Sequence, residues 1–262
     1  MKKKFVLLSI TILFTLLFVT NVGAAEIVGG YIHGGINQRD LIENGPYPQV
    51  SGIIDLAEWG LVYLEDEGII EINQLRNSKF DNGNLNDIGY YIGVNTGLYE
   101  NLTFTFERIR VRNEQEFYSD FDIDSDNVVL DCDMFIHTNL RSVSATIYPE
   151  INNYFSVIAG VGYYYGNTVY GLSAEARLND DLLEDYSSRY TYDFKDNIGF
   201  RVGLNFEYPL DQGVTLNLGA DYRYLKMEVD TVSDRNGELD ISIDEKLDLG
   251  GTSARIGLSY AF

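Results

Sequence analysis

The sequence predicts an all-β fold: a single antiparallel, up-and-down transmembrane β-barrel of eight to ten strands, with ten the preferred count. Three observations lead there. The chain opens on a removable export leader, its second half alternates apolar and polar residues over long runs, and short turns between those runs alternate with long acidic links.

The leader comes first. Lys2 to Lys4 form a basic stretch, Phe5 to Val19 an apolar core, and Val22-Gly23-Ala24 a small-residue site for cleavage after Ala24, the three parts of a secretory signal peptide. Residues 1–24 are therefore read as signal peptide and 25–262 as the barrel domain. The apolar core of 15 residues falls short of the ~20 that a spanning helix needs. The one later stretch of 18 or more residues without a charge, 151–174, is broken by Asn152, Asn153, Asn167 and several glycines, so the exported chain is either soluble or crosses a membrane with strands, whose backbone groups are satisfied in a closed barrel.

Composition removes several classes of function. Asp plus Glu number 40 against 19 Lys plus Arg, for a formal net charge of −21. Loss of Lys2, Lys3 and Lys4 makes the exported chain three units more negative still. Nucleic acid and other polyanions need clustered cations, so no nucleic-acid partner is expected. A hydrophobic fraction of 45% and 20 tyrosines are too apolar for a disordered acidic chain. A lone cysteine, Cys132, forms no internal disulfide or Cys-rich metal centre, and the histidines are limited to His33 and His137.

The strands are read from the period. Ile198, Phe200, Val202, Leu204, Phe206 and Tyr208 alternate with Gly199, Arg201, Gly203, Asn205 and Glu207. Val214, Leu216, Leu218, Ala220, Tyr222 and Tyr224 do the same against Thr215, Asn217, Gly219, Asp221 and Arg223. Such runs match the ~9–11 residues of a tilted strand crossing a bilayer. Tyr208 to Gly213, Tyr148 to Asn153 and Tyr99 to Asn101 supply the short turns, two of them containing proline where a ladder ends. Residues 113–133, 167–195 and 230–249 hold 21 of the 40 acidic residues and are expected to be long acidic extracellular loops, with the short turns periplasmic. For residues 26–87, parity demands an odd number of strands. One gives eight in all. Three give ten: Ile27 to Gly35, a run through Ala57, Trp59, Leu61 and Tyr63, and Ile69 to Leu75, with Gly45-Pro46-Tyr47-Pro48 in a loop.

The last run carries a resemblance. Ile256, Leu258, Tyr260 and the terminal Phe262 are similar to the C-terminal aromatic assembly signal of bacterial outer-membrane barrels. Over roughly residues 88–262 the chain resembles small outer-membrane β-barrel proteins of the OmpA, OmpX and opacity-protein type. That resemblance implies residence in the bacterial outer membrane, insertion by the barrel-assembly machinery, outer-membrane lipid and lipopolysaccharide as surroundings, a monomer, and no enzymatic activity. The expected role is structural or surface-interacting, in adhesion or envelope integrity.

Candidate sites follow from the face opposite the apolar one. Glu107, Arg201, Glu207, Asp221, Arg223 and Arg255 point into the lumen, where buried charges have to pair and an eight- to ten-stranded barrel has room only for side chains. A plugged polar core is the first reading and a small porin or narrow ion path the alternative. Asp122, Asp124 and Asp126, with Asp133 at the twelfth position, have the spacing of a weak calcium loop, though Asn127 stands where such loops carry Gly. No other cofactor is expected. His137, near Asp131 and Asp133, is the candidate for a barrel enzyme, a protease or lipid A-modifying protein. Gly89, Gly93, Gly97, Gly160, Gly162, Gly199 and Gly203 are expected to give Tyr91 and Tyr164 room inside.

Overall fold

The computed structural model describes residues 26–37, 48–78, 88–95, 102–234, 237–239 and 246–261. The leader, Gly97, the turn at 99–101 and Phe262 lie outside these residues.

The strands are β1 (Glu26–Gly34), β2 (Glu71–Ser78), β3 (Ile88–Asn95), β4 (Thr103–Ile123), β5 (Asp126–Ile147), β6 (Phe155–Leu178), β7 (Asp181–Phe194), β8 (Asn197–Asp211), β9 (Val214–Tyr224), β10 (Lys226–Ser233), β11 (Glu238–Leu239), β12 (Lys246–Asp248) and β13 (Gly251–Ala261), with one helix, α1 (Pro48–Asp66), between β1 and β2. Eight of them close into a ring, every pairing antiparallel: β1 pairs with β3, then β4, β5, β6, β8, β9 and β13 follow in turn, and β13 returns to β1. The remaining strands extend the ring at one end, called upper here. There β7 leaves β8 and pairs with the far half of β6, β10 continues β9 and pairs with β7, and β2 pairs with the far half of β4.

The acidic segments 113–133 and 167–195, expected to be loops, belong to these extensions, and so do the described parts of 230–249. β4, β5 and β6 run to 21, 22 and 24 residues, about twice what a bilayer crossing takes. They are joined by two-residue turns, Asp124-Ser125 between β4 and β5 and Asn179-Asp180 between β6 and β7. Asp124, Asn179 and Asp180 have positive φ, the conformation that matches the twist of paired strands. Alternation explains the error. Asn113, Gln115, Phe117, Ser119 and Phe121 are buried while Glu114, Glu116 and Asp120 between them face outward. The acids are the solvent rows of strands and mark no break in the ladder.

The preferred count of ten also fails among the described residues, because Ala57, Trp59, Leu61 and Tyr63 lie in α1. Ala57, Leu61 and Leu64 repeat at three- and four-residue spacing and pack inward, a helical period that a reading in steps of two overlooked. Pro48, expected in a loop, opens the helix, where its missing N–H costs nothing. The expected first strand and the run from Ile69 both exist, as β1 and β2, but β2 pairs only with the upper half of β4 and adds nothing to the ring.

The ring changes polarity along its length. In the lower half the outward rows are apolar: Phe104 and Phe106 on β4, Val143, Ala145 and Ile147 on β5, Phe200, Val202 and Leu204 on β8, Ile256 and Leu258 on β13. The inward rows there are Thr103, Thr105 and Glu107, then Ser142, Ser144 and Thr146. Above the level of Glu107 the rows exchange character. Ile109, Val111, Met134, Ile136, Leu140, Leu225, Met227 and Leu249 fill the interior, and Arg110, Arg112, Asp131 and Asp133 face out. A sheet standing in water buries its apolar face. One standing in lipid exposes it.

Candidate functional site

The layer where polarity changes holds the charge cluster. Glu107 projects from β4 to the centre of the ring with a side chain 1% exposed. Its carboxylate meets three guanidinium groups. Arg201 Nη1 from β8 donates to Oε1 in a very short contact, Arg255 Nη1 from β13 donates to the same oxygen at 2.7 Å, and Arg223 Nη2 from β9 donates to Oε2 at 3.1 Å. Arg255 Nε also donates to Asp221 of β9, whose other oxygen accepts from Ser253 Oγ at 2.8 Å. Charge-assisted bonds of this kind are about twice as strong as neutral ones.

The rest of the ring supplies the neutral partners. Arg201 Nε donates to Thr146 Oγ1 at 3.1 Å, Ser142 Oγ reaches Glu107 at 3.4 Å, and Arg223 donates to the Gly35 carbonyl at 2.9 Å and to the Tyr164 hydroxyl at 3.2 Å. Arg223 and Arg255 also lie over the rings of Tyr164 and Tyr91, 5.3 and 5.5 Å from the centroids. Those π faces complement a cluster with more cations than anions. Every strand of the ring except β1 contributes a side chain, and the residue after β1, Gly35, contributes its carbonyl. The layer therefore braces the ring across its full section.

Five of the six lumen residues named from the sequence meet here: Glu107, Arg201, Asp221, Arg223 and Arg255. Glu207 does not. It lies lower, accepting from Asn205 Nδ2 at 2.8 Å and Ser156 Oγ at 3.4 Å, beside a polar cavity of about 50 Å³ that Glu26, Tyr148, Asn217 and Arg255 also line. Room of that size holds a few waters. Arg255 forms its roof, and its Nη2 is buried without a hydrogen-bond partner among the described residues. The glycine expectation holds at Gly162 and Gly199, where a Cβ would lie 2.8 Å from the Tyr164 ring. The glycine against Tyr91 is Gly257, which the sequence reading omitted although its parity matches Arg255. The hydroxyl row Ser142, Ser144 and Thr146 was legible by the same parity.

The calcium spacing does not become a cluster. Asp122, next to the end of β4, accepts from the side-chain amides of Asn73 at 3.0 Å and Asn127 at 3.1 Å, and those bonds hold its carboxyl below the usual range. Asp124 sits in the tight turn, while Asp133 lies seven residues down β5 from Asp126, opposite Glu116. Among the described residues no three His, Cys, Asp or Glu side chains are grouped as a metal would need. His137 also stands apart from its expected partners. It shares the outward row of β5 with Asp133 and Asp131, four and six residues away along one strand, which is ~13–20 Å. Its ring packs on Phe135 at 4.6 Å, and burial and the Arg112 guanidinium hold it below the usual imidazole value. Of the assembly residues, Ile256, Leu258 and Tyr260 are exposed on the outward face of β13.

Comparison with known proteins finds likeness to solved structures alone. No protein-family model matches the chain, and no curated protein matches its sequence. The solved structures it resembles are outer-membrane β-barrel proteins. They include the attachment invasion locus protein Ail of Yersinia pestis, at 13% identity and TM-score 0.34, covering 92% of this chain and 99% of that one. OprG of Pseudomonas aeruginosa gives 13% and 0.32 over 92% and 96%, and a major outer-membrane protein of Thermus thermophilus gives 12% and 0.37 over 92% and 100%.

Proposed function

We propose that the chain is a non-enzymatic outer-membrane β-barrel with a closed lumen, serving a structural or surface-interaction role in adhesion or envelope integrity. One observation carries this reading: the ring is apolar outside and charged inside over its lower half, and the reverse above. Lipid suits the first arrangement and water the second. The lower half is the membrane-spanning part, and the upper half is a β-structure standing outside the cell with its own apolar core. Exposed side chains of α1, Trp59 and Tyr63, stacked with centroids 5.8 Å apart, offer that upper part a surface for contact.

The charge layer supports a closed lumen over a conducting one, since seven of the eight ring strands send a side chain into it and Gly35, just after β1, its carbonyl. The test is conductance in planar bilayers. Protein that has folded in detergent, judged by altered gel migration before and after boiling, is expected to give no stable steps. A large, steady wild-type conductance would replace this reading with a porin.

A further inference from the structure

The outward face of the polarity boundary carries a feature that a lumen plug does not use. Arg108 and Arg141 are directly opposite each other across β4 and β5, and Arg110 is the next outward residue on β4. Directly opposed side chains on one sheet face have Cβ atoms ~5 Å apart, and like charges so placed destabilise a ladder. The chain is strongly acidic, yet among the described residues none of these three arginines has a carboxylate within ion-pair distance. Arg108 donates to the neutral Asn139 side chain at 3.1 Å. Arg112, one step higher, shows the alternative, because it pairs with Glu114. Carboxylates are at hand on this surface, and these three do without them.

Their height narrows what is missing. Directly below them on the same face are Phe106 and Val143, the last apolar pair of the band; Tyr90 and Tyr165 flank the arginines on either side. The guanidinium groups therefore stand where acyl chains give way to headgroups, next to tyrosines that favour the same depth. A freely diffusing anion would not require that depth, whereas a lipid phosphate is fixed there. Guanidinium forks fit phosphate oxygens in pairs.

We infer that Arg108, Arg110 and Arg141 form a binding site for the phosphorylated headgroup of an outer-leaflet lipid. The inference rests on the membrane reading above. The phosphate neutralises the opposed pair and fixes how deep the ring sits.

Native mass spectrometry from a neutral detergent tests it. The probes are diphosphorylated lipid A, its dephosphorylated form, and inorganic phosphate as a soluble competitor. Wild type is expected to retain the phosphorylated lipid at least fivefold better than the dephosphorylated one. Arg108→Gln/Arg141→Gln is expected to lose that preference, and Arg177→Gln, a cation on the upper surface paired with Glu175, to keep it. Equal retention of both lipids, or displacement by millimolar inorganic phosphate, would overturn the site. If the wild type fails to fold in detergent at all, the membrane reading fails first, and the gel shift before and after boiling distinguishes that case from a folded barrel without lipid preference.

Discussion

Neutralising Glu107 is the perturbation to which the charge layer is most sensitive. In Glu107→Gln the side chain keeps its shape, but Arg201, Arg223 and Arg255 are left with Asp221 as their remaining carboxylate. Removing one member of a buried pair costs about 3–5 kcal/mol, because the other charge stays desolvated. Glu107 serves three partners with side chains 0–7% exposed, which places it at the upper end, about 5 kcal/mol. At ~2–4 °C per kcal/mol for a chain of this size, the melting temperature is expected to fall by roughly 10–20 °C. Glu207→Gln is the control: it loses neutral hydrogen bonds to Asn205 and Ser156, about 1 kcal/mol. Thermal melts by circular dichroism in detergent, with the boiled and unboiled gel shift as a second reading, measure both. A Glu107→Gln melt within 3 °C of wild type, or no lower than that of Glu207→Gln, would refute the idea that the cluster braces the ring.

Other expectations concern packing and the outer surface. Gly162→Ala places a Cβ 2.8 Å from the Tyr164 ring, an overpacking cost of about 1–3 kcal/mol. At Gly219 the nearest atoms lie at an ordinary 3.4 Å, so Gly219→Ala is expected to leave the melt in place; equal effects would contradict the packing. On the upper face Asp131, Glu175 and Asp185 are in register across three strands, and burial, then Asp133 and Glu175, raise the Asp131 carboxyl. A carboxyl whose folded value lies above its unfolded one penalises the fold when ionised. The penalty is therefore full at neutral pH and disappears as the pH falls through the carboxylate range. Asp131→Asn is expected to stabilise by about 0.5 kcal/mol at pH 7 and by nothing at pH 3, as read from melts at the two values.

Much of this was legible because alternation is local. Arg201, Arg223 and Arg255 were assigned inward from neighbours two residues away, and they are inward. What the pattern could not convey is which side of each strand packs into the core and which faces out at each level of the ring. Ile109 and Phe106 are both apolar, three residues apart on β4 and on opposite faces, yet one packs in the core and the other faces out. The period of two is identical on either side of Glu107, and only the environment inverts. Acid-rich rows such as Glu114 and Glu116 were therefore read as loop. The helix was lost for the opposite reason: Ala57, Leu61 and Leu64 fit a helical period, but Ala57, Trp59, Leu61 and Tyr63 also fit a period of two.

The most direct test of the inversion is depth along a single strand. In a Cys132→Ser background, single cysteines at Ile147, Ala145, Val143, Asn139, Asp133 and Asp131, all on the outward face of β5, take nitroxide labels in reconstituted bilayers. Collision rates with oxygen, which partitions into lipid, and with a water-soluble nickel chelate report the surroundings of each label. Oxygen is expected to dominate at 147, 145 and 143 and nickel at 139, 133 and 131, with the crossover between Val143 and Asn139. Nickel access at all six positions would contradict a membrane-spanning lower half.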